Sequence, residues 1–261
     1  MIHKSNFPIL NFDTNKKAKL TNQMLEGWEH LGIKYGVICF EMDVREELVK
    51  HYPSKVIGVA KACGVTPLNI YLVDFNGVQI ILHQGITGGP LAATVMEDLV
   101  TFGCKKVIAM GSCGVLNQEI ARGHLIVPNS AVRAEGTSYH YLKPGKYIDC
   151  PATVLNKMCK YLQSQNVPFV CGRTWTTDAI YRETQDLIDM RKAQGCVCVE
   201  MENATLAAVA EFYGVKFGQI LYGADCLEGD LWDKRAWADE DIKMKTKYKL
   251  LKLAMEMVTK I

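Results

Sequence analysis

An α/β fold on a central mixed β-sheet is what this sequence predicts, on three grounds. Short apolar runs alternate with stretches of helical periodicity along most of the chain. An Asn76-Gly77 pair between two alternating runs adds an antiparallel hairpin to strands otherwise separated by helices. Finally, 261 residues at 49% hydrophobic fill one large core, and no internal repeat or low-complexity stretch interrupts them. Residues 1–261 are therefore expected to form a single domain with helices flanking the sheet.

The elements follow in order. Residues 35–40 are an apolar strand, and 44–51 have helical spacing. Residues 69–75 and 78–83 are the arms of the hairpin, because Asn-Gly supplies the two positive φ angles of a tight turn. Residues 90–102 make a helix with Pro90 in its first turn and Gly103 just past its end. Buried strands follow at 106–110 and 124–127. The segment 129–147 differs: Arg133, Glu135, Ser138, Tyr139 and His140 crowd a stretch with little apolar periodicity. It reads either as an excursion toward the cleft or a neighbouring subunit, or as a solvated loop. Residues 153–165 are a helix, 169–175 a strand, and 182–194 a helix stopped by Gly195. Residues 196–199 are a small, apolar strand running into an alanine-rich helix at 203–212 that closes at Gly214. The strand 215–222 comes next. The tail, 239–261, is a long amphipathic helix with Ile242, Tyr248, Leu251, Met255 and Val258 on or near one face.

Charge and composition exclude several roles. A net charge of +2 with 22% charged residues, and no basic block, gives no electrostatic footprint for nucleic acid. No apolar run approaches the roughly 20 residues of a membrane span. Residues 1–10 lack the pattern of a secretory signal, so a cytoplasmic location is expected. The ten cysteines contain no C-x-x-C pair, and the histidines are scattered. Cys39, Cys104, Cys171, Cys196, Cys198 and Cys226 mostly lie in apolar runs and are expected to be reduced core residues, with no metal site.

The chemistry concentrates where strands end. Glu200-Met201-Glu202 sits at the junction of the strand 196–199 with the next helix, and the strand 215–222 delivers Asp225 to the same edge. Carboxyl ends of strands in an α/β sheet are where ligands collect. Val199-Glu200-Met201-Glu202 before an alanine-rich helix, then a strand ending in Asp225, resembles the nucleoside phosphorylase superfamily of purine nucleoside and uridine phosphorylases. Upstream, Gly85-Ile86-Thr87-Gly88-Gly89-Pro90 and Gly111-Ser112 resemble that family's phosphate-side motifs, and the stretch from Gly172 to Tyr181 its base-side strand. The matches stand in family order from about Lys34 onward.

The resemblance implies phosphorolysis of a nucleoside, purine favoured, to free base and pentose 1-phosphate. It implies orthophosphate as co-substrate, no cofactor, and a homo-oligomer, either a dimer or a trimer of dimers. It matches Glu202 to the ribose-binding glutamate and Met201 to the apolar platform under the sugar. Glu200 is left as a second sugar ligand or a buried salt-bridge partner. Asp225 matches the acid that protonates the purine, a helix N-cap being its bland reading. Trp175 matches an aromatic against the base, a core tryptophan being the alternative. Gly85, Thr87, Ser112 and Arg45 match the phosphate side. There the chain departs from the pattern: Ala109 stands where a second arginine is expected and Thr66 near where a third is, while the loop preceding Arg45 is Phe40-Glu41-Met42-Asp43, with two acids and no glycine. Arg133 or Arg173 could substitute, and His3 and the segment 133–140 are candidates to cross a subunit interface. Three alternatives stay open: a uridine phosphorylase, a nucleosidase using water with Glu41 as its base, and a non-catalytic nucleoside-binding protein.

Overall fold

The computed structural model describes residues 2–21, 27–60 and 67–261. Thr66 lies outside the described residues. A small antiparallel pair, β1 (Ile2–His3) and β2 (Phe12–Asp13), stands apart from the main sheet. The sheet contains β3 (Tyr35–Cys39), β4 (Ser54–Ala60), β5 (Leu68–Phe75), β6 (Val78–Gln84) and β7 (Lys106–Val115). It continues with β8 (Leu125–Ala134), β9 (Tyr147–Asp149), β10 (Phe169–Thr177), β11 (Cys196–Glu200) and β12 (Lys216–Cys226). The helices are α1 (Met42–His51), α2 (Gly89–Phe102), α3 (Ser138–Tyr141) and α4 (Ala152–Ser164). After them come α5 (Gln185–Ala193), α6 (Asn203–Tyr213) and α7 (Glu240–Met257).

The strands run β11-β10-β8-β12-β7-β3-β6-β5-β4, with β9 folded back onto β8. β11 also pairs antiparallel with β7, Cys198 opposite Val115 and Val199 opposite Gly114, which closes five strands into a ring. β3, β6, β5 and β4 extend from it as an open wing. The sheet is mixed, as the sequence predicts: β3 pairs parallel with β6 and β7, and β7 parallel with β12, while β4–β5 and β5–β6 are antiparallel. At the hairpin tip Asn76 and Gly77 have φ of 54° and 82°, the geometry that this residue pair favours.

Both faces of the sheet are covered, so its strands read as near-continuous apolar runs. On one face Leu251, Met255 and Val258 of the C-terminal segment pack with Val37, Leu48, Met110 and Ile220. Ile242 departs from the expected stripe: in the first turn of α7 it is 45% exposed, before the helix reaches the sheet. On the other face α2 and α6 bring Met96, Leu99, Leu206 and Val209 onto Val107 and Ala109. Both helices end on a left-handed glycine, Gly103 and Gly214, which closes the last turn without a Cβ clash.

Three expectations change. Residues 129–134 are not an excursion but the second half of β8, and 147–149 return to pair with 130–132. The polar residues between satisfy one another: Glu135 accepts from Ser138 N at 2.9 Å and Thr205 Oγ1 at 2.6 Å, and Arg133 Nε donates to Ser138 Oγ at 2.9 Å. The helix expected from residue 182 begins at Gln185, behind a 3-10 turn at Ile180–Arg182. β4 gives a weak signal because Gly58 interrupts it. That glycine lies against the Trp28 ring, where a Cβ would come within 3.2 Å. Of the named cysteines, Cys39, Cys104, Cys196, Cys198 and Cys226 are free and buried, whereas Cys171 is exposed. Among the described residues no helix is long and apolar enough to cross a membrane.

Candidate active site

β3, β6, β7 and β12 run parallel, so their carboxyl ends gather at one edge, and the ring brings the end of β11 beside them. A cleft of about 810 Å³ opens there. Thr87, Ser112, Glu200, Met201, Glu202 and Asp225 all line it, so six of the nine sequence-predicted site residues meet at one cavity.

Glu202 occupies the N-cap position of α6. Its Oε1 accepts from the amide of Gly88 at 2.8 Å, tying the sugar-side junction to the turn that begins α2. Burial pushes its carboxyl up to about 8, helped by the neighbouring Glu200 charge and opposed by the Gly88 amide. Glu200 also lines the cleft, and its carboxylate is bonded within the fold to amides and hydroxyls. Its Oε2 accepts from the amides of Glu202 at 2.8 Å and Asn203 at 2.6 Å, so it caps α6. Its Oε1 receives Thr176 Oγ1 at 2.6 Å and Thr174 Oγ1 at 3.2 Å. Burial raises the Glu200 carboxyl, while these four donors favour its charged form. Where the two carboxyls share one proton, Glu202 is the better holder, since the Glu200 acceptors are filled.

Asp225 is not a helix cap. It lies within β12, and its Oδ2 accepts the indole N–H of Trp232 at 2.6 Å. Facing it is a residue that the sequence reading missed. Glu183 lines the cleft, and burial together with the Asp225 charge pushes its carboxyl up to about 7. Expecting a helix from residue 182 hid it, because a first-turn glutamate reads as a solvated cap. The cue was its distance, six residues beyond the carboxyl end of β10. Exposed apolar groups rim the same end: Ile180, Tyr181, Leu231 and Trp232.

Trp175 is not at the cleft. It is 2% exposed, packed in the core with Leu116, Val132, Ile188 and Val199, with the Arg191 guanidinium 5.3 Å from its ring. Strand alternation explains this: Thr174 and Thr176 turn toward Glu200, so Trp175 turns the other way. Gly85 is also absent from the lining. Its amide donates to the Cys39 carbonyl at 2.7 Å, and the Phe40 ring covers its Cα side so closely that a Cβ would fall 2.6 Å away.

The phosphate side has no arginine in place. Arg45 is buried on the inner face of α1 with Val44 and Leu48, where NH1 donates to the Asn69 carbonyl at 2.9 Å and NH2 meets Glu46 at 2.5 Å. Ala109 is fully buried beneath α6, with no room for a guanidinium. Arg133 is spent on Ser138 Oγ and, at 2.7 Å, on the Lys143 carbonyl. Arg173 is held by Ser130 Oγ at 3.0 Å and by the Gln194 carbonyl. Among the described lining residues there is no Lys, Arg or His, while Glu41, Glu183, Glu200, Glu202, Asp225 and Asp230 are all acids.

Comparison with known proteins identifies the family and the fold. The family model of the phosphorylase superfamily matches residues 34–254. A guanosine phosphorylase of Halorubrum lacusprofundi is 25% identical over 222 residues, covering 79% of this chain and 89% of that protein. A purine nucleoside phosphorylase of Plasmodium falciparum is 34% identical over 160 residues, covering 58% of this chain and 63% of the other. Among solved structures, a uridine phosphorylase of Vibrio fischeri superposes with a TM-score of 0.72 at 20% identity, over 89% of this chain and 97% of that one, a likeness of fold.

Proposed function

The chain belongs to the phosphorylase superfamily, and from that premise we propose that it is a pentosyltransferase that cleaves a nucleoside with orthophosphate, purine nucleosides preferred. The observation that carries the reading is the convergence of Met201, Glu202, Asp225, Ser112 and Thr87 on one cleft. Breaking an N-glycosidic bond requires the base to leave as a neutral or protonated group while positive charge grows on the sugar. Glu202 suits the sugar end: a carboxyl held by one amide keeps acceptor capacity for a vicinal diol, and its ionised form stabilises an oxocarbenium ion. The pair Asp225 and Glu183 suits the base end. A carboxyl at about 7 can hold a proton at neutral pH and give it to a ring nitrogen. Two carboxyls at one end favour a purine, which offers ring nitrogens to protonate and, in guanine, adjacent N–H donors. The exposed rings of Tyr181 and Trp232 supply the stacking face expected of Trp175.

A second reading has its own observation. The described lining is rich in carboxylates and holds no cation, and Glu41 sits at the end where phosphate would bind. Water activated by Glu41 would make the enzyme a nucleosidase. The test is a panel of guanosine, inosine, adenosine and uridine, each with and without phosphate. Phosphorolysis predicts base release only with phosphate, fastest with a purine. Equal release without phosphate supports the nucleosidase, and preference for uridine overturns the purine reading. The family resemblance further supports a homo-oligomer that acts in nucleoside salvage in the cytoplasm. Light scattering at assay concentration tests the assembly, a monomer being the contrary result.

A further inference from the structure

The phosphate end contains a cation after all, hidden behind an acid. Glu41 lines the same cleft as Gly111, Ser112 and Thr87. Lys247 Nζ donates to its Oε2 at 2.5 Å and the Tyr222 hydroxyl to its Oε1 at 2.5 Å. The Lys247 and Glu41 side chains are only 9% and 14% exposed. Tyr222 stands opposite Ser112 across β12 and β7. Burial and the Glu41 charge raise the Tyr222 pKa, so the phenol stays a neutral donor.

An ammonium and a phenol thus converge on one carboxylate at the edge of the cleft, with the Ser112 hydroxyl beside the phenol on the neighbouring strand. That is the donor set an oxyanion of phosphate calls for. Lysine on the outward face of an amphipathic helix is commonplace. Burying one is costly and needs a partner of opposite charge. α7 carries Lys247 to the sheet from 206 positions along the chain, and its partner is a cleft residue. Arg45, Arg133 and Arg173 are held elsewhere, as described above.

We propose that Lys247 is the phosphate-binding cation of this enzyme and that Glu41 occupies the anion's place until phosphate displaces it. The inference rests on the phosphorolytic reading. Phosphate takes the donors on Lys247 and Tyr222 and adds that of Ser112, while the Glu41 carboxylate turns toward the open cleft. Competition from a tethered carboxylate makes phosphate binding weak and selects an anion with more charge than the carboxylate it replaces.

The experiment titrates inorganic phosphate calorimetrically into wild type, Glu41→Gln, Lys247→Met and the double variant, alongside the phosphate KM for pentose 1-phosphate formation. The double variant buries no lone charge, so it stays interpretable if Lys247→Met fails to fold; melting curves check each protein. Glu41→Gln should tighten phosphate binding about tenfold. Lys247→Met should weaken it about ten- to a hundredfold with the nucleoside KM unchanged. The double variant should bind as weakly as Lys247→Met, because the benefit of removing Glu41 passes through Lys247. A double variant as tight as Glu41→Gln, a Lys247→Met variant within twofold of wild type, or no phosphate binding by any of the four overturns the proposal. Phosphorolysis with a flat pattern defeats this inference alone. The expected binding pattern without pentose 1-phosphate defeats the phosphorolytic reading alone.

Discussion

Replacing Glu202 by glutamine keeps the shape of the side chain and removes a proton site. In the folded chain this carboxyl is pushed up to about 8, against 4.5 in an exposed glutamate. The sign follows from which state binds the proton more tightly. Below pH 4.5 both states hold it, and the group contributes nothing to stability. Between 4.5 and 8 the unfolded chain gives it up while the folded chain keeps it, so folding costs progressively more as pH rises. At about 1.36 kcal/mol per pH unit, the penalty reaches about 3 kcal/mol at pH 7 and stays below about 1 kcal/mol at pH 5. Glutamine is neutral in both states and escapes it, with its amide oxygen still able to accept from Gly88. Glu202→Gln should therefore melt roughly 6–12 °C higher than wild type at pH 7, with the gap closing toward pH 5. Turnover should fall by about a hundred- to a thousandfold, since glutamine, unlike the carboxyl, cannot give up a proton to meet the positive charge that grows on the sugar. Paired thermal melts at pH 5 and pH 7, with initial rates at pH 7, check both halves. A variant less stable than wild type at pH 7, or a gap independent of pH, would refute the account of the buried carboxyl. Unchanged turnover would remove Glu202 from the mechanism.

Other variants separate roles that geometry has separated. Glu183→Gln should abolish the fall in purine turnover as pH rises through about 7, because the acid form that donates the proton is lost with it; a pH–rate profile that keeps this limb assigns the proton to another group. Arg45→Ala should cost about 2 kcal/mol of stability through its lost charged hydrogen bonds and leave the phosphate KM unchanged, and a raised phosphate KM would show that the guanidinium leaves Asn69 to reach the anion. Trp175→Ala should destabilise the fold by about 3–5 kcal/mol as a core cavity. Trp232→Ala should leave the melting curve nearly unchanged and raise the nucleoside KM, about tenfold if the indole stacks on the base; the reverse pattern between the two tryptophans would restore Trp175 to the site.

Much of this was legible in the sequence because it rests on local chemistry. Asn76-Gly77 fixes the hairpin, Gly103 and Gly214 stop two helices, and the run from Val199 to Glu202 marks a strand handing over to a helix at a ligand-bearing edge. Glu202, Asp225, Thr87 and Ser112 reach the cleft because strand ends place them there whatever the remote packing. Side-chain direction was harder. Trp175 is turned away by one step of alternation, a step that becomes readable only once Thr174 and Thr176 are seen bonding Glu200. Arg45 lies beside Val44 on the buried side of α1, where only the tertiary fold supplies the Asn69 carbonyl that holds it. Glu183 was concealed by the 3-10 turn that delays α5. Lys247 was beyond sequence reasoning altogether, since only the tertiary fold brings α7 to Glu41.

The central claim is that phosphate, not water, attacks the sugar in the cleft lined by Glu202 and Asp225. A single turnover of guanosine in heavy-oxygen water with ordinary phosphate, followed by mass analysis of the sugar product, tests it most directly. The account predicts pentose 1-phosphate carrying no heavy oxygen on the sugar carbon. Free pentose with heavy oxygen at that carbon would contradict it and give the attack to water.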